Sequence, residues 1–335
     1  LIFTHYGNSH YLPYVFETAR LTNPDKEIFL LGDEKNRWIG AAKGITHLMF
    51  RDFDYGDEIE RFDNSYRPIQ GPLHQHIKGG EDWLKFVFKR WFFVNNFLAA
   101  HRLDSFWHFD SDTMILESLQ GHESKFEPYE CTEQCNGQCI NGFVSGPRFV
   151  SRYLEKINTI FEDAPFLEAQ QHEINTQRPD WAFTEMTAYQ FFKQDEEVHS
   201  IPLKTILDGS TFDDCICQTH EMQMERLFNG REIKRVYCSP EGAFYCQNQT
   251  TGQAIRMNTL NFSWVPVVLF KVVLAQLKKR SVSPPTPTTP KLDPMPSIHE
   301  LCWRTHPLSC LWLKLKTSSR KFRKRETGSV NVAAR

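Results

Sequence analysis

The chain has 335 residues, 40% hydrophobic and 24% charged, which suits one large or two modest globular cores and excludes a disordered, collagen-like or coiled-coil protein. Its formal charge of −2 conceals a division: residues 265–335 hold 14 basic and 3 acidic side chains, a net of +11, whereas residues 1–264 carry a net of −13. An acidic body argues against nucleic acid as its partner. No apolar run reaches the roughly 18 residues that a spanning helix needs.

In chain order, the first 50 residues read as alternating strands and helices. Leu1-Ile2-Phe3 is a short apolar run, and Leu12 to Leu21 carries apolar residues at helical spacing. Asn23-Pro24-Asp25 breaks that helix, Ile28 to Leu31 is a second strand ending in Gly32-Asp33, and His47 to Phe50 is a third. This alternation implies a parallel sheet with right-handed crossovers, whose ligands bind at the carboxyl ends of strands. Attention therefore falls on Thr4 to Asn8 and on Asp33. Residues 51–80 are polar and weakly periodic and read as a long loop or lid. Leu84, Val87, Phe88, Trp91, Val94 and Leu98 mark an amphipathic helix.

Phe106 to Phe109 then forms a buried strand that runs into Asp110-Ser111-Asp112, and Ile140 to Ser145 is a further strand. Pro147 opens the next helix, striped by Phe149, Val150, Tyr153, Leu154, Ile157, Ile160 and Phe161. A loop leads to Asp180–Glu185 and a helix through Phe192. A strand region at Val198–Leu203 and a hairpin region at 232–262 follow. We expect residues 1–264 to form one domain and 265–280 an apolar or amphipathic helix. The Pro-rich linker and basic tail over 281–335 are expected to be disordered, and the chain beyond Ser263 is expected to be dispensable for stability. The tail's basic run at Arg320–Arg325 is suited to weak contact with an acidic membrane surface. Of the nine cysteines, none sits in a zinc-ligand spacing, and free thiols are expected, although Cys238 and Cys246 flank a hairpin turn.

Asp110 and Asp112 carry the chemistry. Two carboxylates two residues apart project the same way from extended chain, and they repel unless a cation lies between them. Mg²⁺ or Mn²⁺, with oxygen ligands, answers this and grips a diphosphate in turn.

A strand, Asp-x-Asp, a loop and a strand ending in Asn141-Gly142 together resemble the nucleotide-sugar-dependent glycosyltransferases of the GT-A fold. Lys89-Arg90-Trp91-Phe92 is similar to the arginine-bearing helix of several such families, and Asp180 to Met186 to their acceptor-facing acidic segment. The resemblance covers roughly residues 1–262. It implies a mixed, mostly parallel sheet flanked by helices, and transfer of a sugar from a UDP- or GDP-sugar to a hydroxyl of a carbohydrate or glycosylated acceptor. Asp112 would bind the metal, with Asp110 contacting the metal or the ribose. Thr4 and Asp33 would meet the nucleoside, Arg90 the phosphates or sugar, and Asn141 and Gly142 the sugar. Glu185, or failing that Asp180, would take the acceptor proton in an inverting displacement; a retaining course stays open. Such enzymes often add a metal-binding His near the domain end, and here Asn261 stands in that place, with His220 a substitute from elsewhere.

Two other readings compete. One is a sugar-nucleotide-binding relative without turnover, which Asn261 suggests. The other is an aspartate-nucleophile phosphatase, disfavoured because its motif belongs on a first strand and no lysine or Gly-Asp-Gly partner follows. The reading places the chain in the cytoplasm, peripheral to a membrane through its tail, or in the ER or Golgi lumen if an anchor precedes Leu1.

Overall fold

The computed structural model describes residues 1–74, 80–280, 290–293 and 295–328, with side chains through residue 317. The strands are β1 (Ile2–Thr4), β2 (Phe29–Gly32), β3 (Thr46–Met49), β4 (Phe106–Asp110), β5 (Thr113–Ile115), β6 (Cys131–Gln134), β7 (Cys139–Val144) and β8 (Ser200–Pro202), then seven short strands described below. The helices up to β8 are α1 (Leu12–Thr22), α2 (Trp38–Lys43), α3 (Asp57–Ser65), α4 (Gly80–His101), α5 (Glu123–Phe126), α6 (Pro147–Glu162), α7 (Ala164–Gln177) and α8 (Glu185–Asp195).

The chain divides into two compact units: residues 1–111 with 118–205, and residues 112–117 with 206–335. The first is mixed α/β. Its seven-stranded sheet runs β3-β2-β1-β4-β7-β6-β8. The four strands β3, β2, β1 and β4 are parallel; β7 runs against both β4 and β6, and β8 is parallel to β6. Strands β1, β2 and β4 are buried almost along their whole length, as parallel strands covered on both faces must be, whereas the edge strand β3 is only partly buried. From β1 the chain steps to β2 on one side, while β4 adjoins β1 on the other. In open α/β sheets such a reversal is where ligands bind, and here it falls at the carboxyl ends of β1 and β4.

Helices α4, α6 and α8 contribute heavily to the core. Every apolar position of the α4 stripe is buried, joined by Phe92, Phe93 and Phe97, and all seven positions of the α6 stripe are buried. Two helices lie where loops were expected. Within 51–80, α3 forms on an acidic first turn and buries Ile59 and Phe62. The loop expected before Asp180 contains α7, capped by the Asp163 carboxylate, which accepts from Phe166 N. Leu167 and Ile174 are its buried side chains, too few for the spacing to announce a helix.

In the second unit a four-stranded sheet runs β12 (Tyr237–Cys238), β13 (Phe244–Gln247), β14 (Ala254–Met257), β9 (Ser210–Thr211). The pairs β10 (Met224–Arg226) with β11 (Glu232–Lys234), and β15 (Thr259–Asn261) with β5, complete its strands. All nine cysteines are free thiols, and the β12–β13 register sets Cys238 opposite Phe244 rather than Cys246. Helix α9 (Val267–Leu277) buries Val268, Leu269, Phe270, Val272, Val273, Leu274 and Leu277. This overturns the expectation that the chain beyond residue 264 is dispensable, because α9 is core.

Part of the extension beyond it is ordered too. Ser297 bridges to Tyr237 and caps α10 (Ile298–Thr305) through a reciprocal bond with Glu300. Cys302 and Cys310 are buried with their sulfurs 3.0 Å apart, fixing the start of α11 (Pro307–Gly328). The Pro-rich run over 281–289 and the last seven positions lie outside the described residues. No described helix is long and apolar enough to cross a membrane.

Candidate active site

In the first unit a cluster of buried polar side chains meets where β4 ends. Arg90, on the face of α4 turned to the sheet, donates to Asp110 Oδ1 and to Glu185 Oε1, each at 2.9 Å. Asp110 is the last residue of β4 and Glu185 the first of α8, so one guanidinium joins a helix, a strand end and a helix start. Asn141 Nδ2, from β7, donates to Asp110 Oδ2 at 3.3 Å and to Gln134 Oε1; its Oδ1 is buried without a hydrogen-bond partner. Tyr153, from α6, donates its hydroxyl to the Glu185 carbonyl at 2.7 Å, fixing the start of α8.

Burial dominates the electrostatics here. It pushes the Glu185 carboxyl up to about 7, with the Asp110 charge adding to the rise and Arg90 opposing it. A carboxyl near neutrality is suited to exchange a proton at ordinary pH. Burial, then Arg90, holds His108 down near 3, and burial holds His5 near 4, so both are neutral imidazoles.

At this reversal of strand order, His5 Nδ1 and Ser111 Oγ are 2.7 Å apart, tying the residue after β1 to the residue after β4. The other ring nitrogen, Nε2, is buried without a partner. Around the carboxyl ends of β1, β2 and β3 lies a cleft of about 600 Å³. Tyr6, Phe50, Phe86 and Phe93 supply its apolar surface, and Asp33, Lys35, Arg51 and Lys89 are among the charged groups at its wall. The rings form a continuous series, Tyr6 to Phe86 at 5.4 Å, Phe86 to Phe50 at 5.1 Å and Phe50 to Phe93 at 5.1 Å. An aromatic floor with a carboxylate at its edge is chemistry that takes a heteroaromatic ring bearing hydroxyls. Asp33 also organises the loops, accepting from Gly7 N at 2.6 Å and Lys35 N at 2.8 Å.

The chain enters the second unit at Asp112. Ser111-Asp112 is a turn, not the extended chain that two parallel carboxylates would need. Asp112 Oδ1 accepts from Asn261 Nδ2 at 3.2 Å and Oδ2 from Ser263 Oγ at 2.9 Å, and Phe262 N bonds the Asp112 carbonyl. Beneath them lies an ion pair, Lys234 Nζ to Asp213 Oδ1 at 2.6 Å, and Asp213 Oδ2 accepts from Asn261 N at 2.9 Å. Lys234 and Asp213 are both buried, so the pair fixes the backbone that carries Asn261.

Several expectations are corrected. Thr4 is not part of this cleft's lining; its hydroxyl is buried 3.3 Å from His108 Nε2, and Tyr6 is the β1-end residue that lines the cleft with Asp33. Arg90 is committed to two carboxylates rather than presented as a cation for phosphate. Gly142 has φ +98°, and a Cβ there would collide with Thr132 Oγ1 and lie 2.7 Å from Leu203 Cδ1. The protein's own side chains therefore occupy the space that glycine was expected to leave for a sugar. Asp180 is exposed and close enough to bias His74, and it takes no part in the Arg90 cluster. His220 is held 3.2 Å from both Asp214 Oδ2 and Lys234 Nζ, which makes it part of the buried pair's surroundings and not a substitute metal ligand.

Among the described residues, no three His, Cys, Asp or Glu side chains converge as a metal site. The donor chemistry is nevertheless compatible with a hard divalent ion. Asp112 brings two carboxylate oxygens, with Ser263 Oγ and Asn261 Oδ1 2.7 Å apart beside them. Mg²⁺ is commonly held by one or two carboxylates, with substrate phosphates and water filling the remaining positions.

His5, Ser111, Tyr153, Ser263 and the aromatic cleft went unread as site residues in the sequence. The Thr4–Asn8 segment was the available signal for His5 and Tyr6. Phe50, Phe86 and Phe93 are scattered and carry no local mark. In comparison with known proteins, the chain matches no family model and no curated sequence.

Proposed function

We propose that the chain is a metal-dependent glycosyltransferase of GT-A type, acting on a nucleotide-sugar donor and an acceptor hydroxyl. The observation that carries the reading is Asp110-Ser111-Asp112 at the carboxyl end of β4, where the strand order reverses and His5 clasps Ser111. A mostly parallel sheet with this motif at a central strand end supports the GT-A assignment. The aromatic cleft beside Asp33 supports binding of a nucleoside.

In this reading Asp33 and Tyr6 orient the nucleoside, and the Asp110-Ser111-Asp112 motif supplies the carboxylates for the metal. When bound, Mg²⁺ or Mn²⁺ supplies charge neutralisation for the departing diphosphate. Glu185 accepts the acceptor's hydroxyl proton: its raised affinity for protons matches the task, and Arg90 holds its carboxylate in one orientation. Asp110, on the same guanidinium, is held in register with it.

A sugar-nucleotide-binding protein without turnover is the second reading. It is favoured by Asn261, whose amide donates to Asp112 where an imidazole would bind metal.

A thermal-shift panel of UDP- and GDP-sugars with and without Mn²⁺, paired with product detection, tests both. We expect one donor to raise the melting temperature only with Mn²⁺, Asp112→Ala to abolish that rise, and Glu185→Gln to keep the rise while cutting transfer. Donor stabilisation and turnover that survive Asp112→Ala would sink the assignment, and stabilisation with no turnover in the parent selects the second reading.

A further inference from the structure

Helix α11 belongs to the second unit and shares nothing with the site above. Leu308, Leu311, Trp312 and Leu315 are between 47% and 80% exposed. Their spacing of three, four and seven residues puts them on one side of a helix. The inward side is the other one, where Cys310 is buried and Leu313 and Thr317 are half-buried. The apolar stripe is therefore not the face that packs on the second unit. In sequence the same spacing continues to Phe322.

Charge accompanies the stripe. Residues 307–328 contain seven Lys or Arg and one acidic residue. Lys314 and Lys316 are exposed on either flank of the stripe by helical position, and Lys316 Nζ stands 4.7 Å over the Trp312 ring. An apolar stripe with a tryptophan, bordered by lysines, is the composition of a helix that lies in a membrane interface. The indole and leucines enter the headgroup–acyl boundary, and the cations pair with anionic headgroups. The net charge of −13 over residues 1–264 means that the body is repelled by an anionic surface, so attraction is confined to the C-terminal end.

We propose that α11 docks the protein on an anionic lipid bilayer, with Leu308, Leu311, Trp312 and Leu315 inserted and Lys314 and Lys316 on the headgroups. The proposal is independent of the glycosyltransferase reading, since it requires neither donor nor metal.

The full chain is sedimented with vesicles of phosphatidylcholine containing phosphatidylserine, and with vesicles of phosphatidylcholine alone. Co-sedimentation is expected with the former and little with the latter, weakening as salt rises. Leu311→Glu with Trp312→Glu should lower binding by about tenfold or more per residue, from the lost burial of each side chain. Arg320→Glu with Arg323→Glu should lower it by about fivefold or more per charge. Because Leu311 and Trp312 are exposed, their substitutions should leave the melting temperature unchanged, and the charge variant gives a second readout.

Failure of the parent to bind phosphatidylserine vesicles overturns the proposal, as does undiminished binding by the Leu311→Glu, Trp312→Glu chain. Concentration-dependent self-association that Trp312→Glu abolishes, without vesicle binding, assigns the face to a second copy and equally overturns it. So does tighter binding to a soluble acidic polymer than to the vesicles.

Discussion

Replacing Glu185 by Gln probes the charge balance at the centre of the first unit. The Glu185 carboxyl is raised from an ordinary 4.5 to about 7 by burial, against the pull of Arg90. A folded-state value above the unfolded one means that the folded chain binds the proton more tightly. The stability this supplies is fully present below the unfolded value and is lost as pH rises through the folded one, between about 4.5 and 7. At about 1.4 kcal/mol per pH unit, the window amounts to ~3 kcal/mol. Gln is neutral throughout and still offers Oε1 to Arg90, so the variant lacks this slope. Urea unfolding followed by tryptophan fluorescence reads it, since Trp91 is buried in the same core. The stability of the parent minus that of Glu185→Gln should be ~3 kcal/mol more favourable at about pH 4.5 than at about pH 8. A pH-independent difference would show that Glu185 does not titrate in this range. A difference that grows with pH would show that the 2.9 Å bond from Arg90 outweighs burial, and the reasoning about a poised carboxyl would fail.

Three further outcomes are expected. Truncation after Ser263 removes the seven apolar side chains that α9 buries; at about 1.5–3 kcal/mol each this exceeds the net stability of a typical domain, so limited proteolysis should degrade residues 206–263. A protease-resistant truncated second unit would contradict the core role of α9. Gly142→Ala forces a Cβ against Thr132 and Leu203 at φ +98°, and calorimetry should find a loss of about 1–3 kcal/mol; an unchanged melting temperature would mean that the β7 backbone relaxes there. Lys234→Met leaves the Asp213 carboxylate buried without its cation, and chemical denaturation should register a loss of about 3–5 kcal/mol. Asp213→Asn in the same chain should recover much of that loss, whereas no recovery would show that Lys234 matters by packing and not by charge.

The local pattern of residues was enough for the elements whose apolar faces are continuous. Leu84 to Leu98 and Phe149 to Phe161 repeat at helical spacing because one side of each helix meets the sheet, and Phe106–Phe109 is apolar but for the buried His108 because β4 is covered on both faces. Helices α3 and α7 escaped this pattern, since each buries two apolar side chains and owes its position to neighbours distant in sequence. Asp110 and Asp112 were visible as a motif because the chemistry of adjacent carboxylates is written in their spacing.

Their partners were not visible. Arg90 lies 20 residues from Asp110 and 95 from Glu185, and Asn261 lies 149 from Asp112. Charge and composition say that such groups need partners, and only the folded chain selects which ones meet, because burial makes each unpaired choice cost several kcal/mol. For the same reason Thr4 and Gly142, at plausible positions in the sequence, turn out to serve the interior of the sheet. His5, which the sequence marked only as part of a strand end, stands at the reversal of strand order.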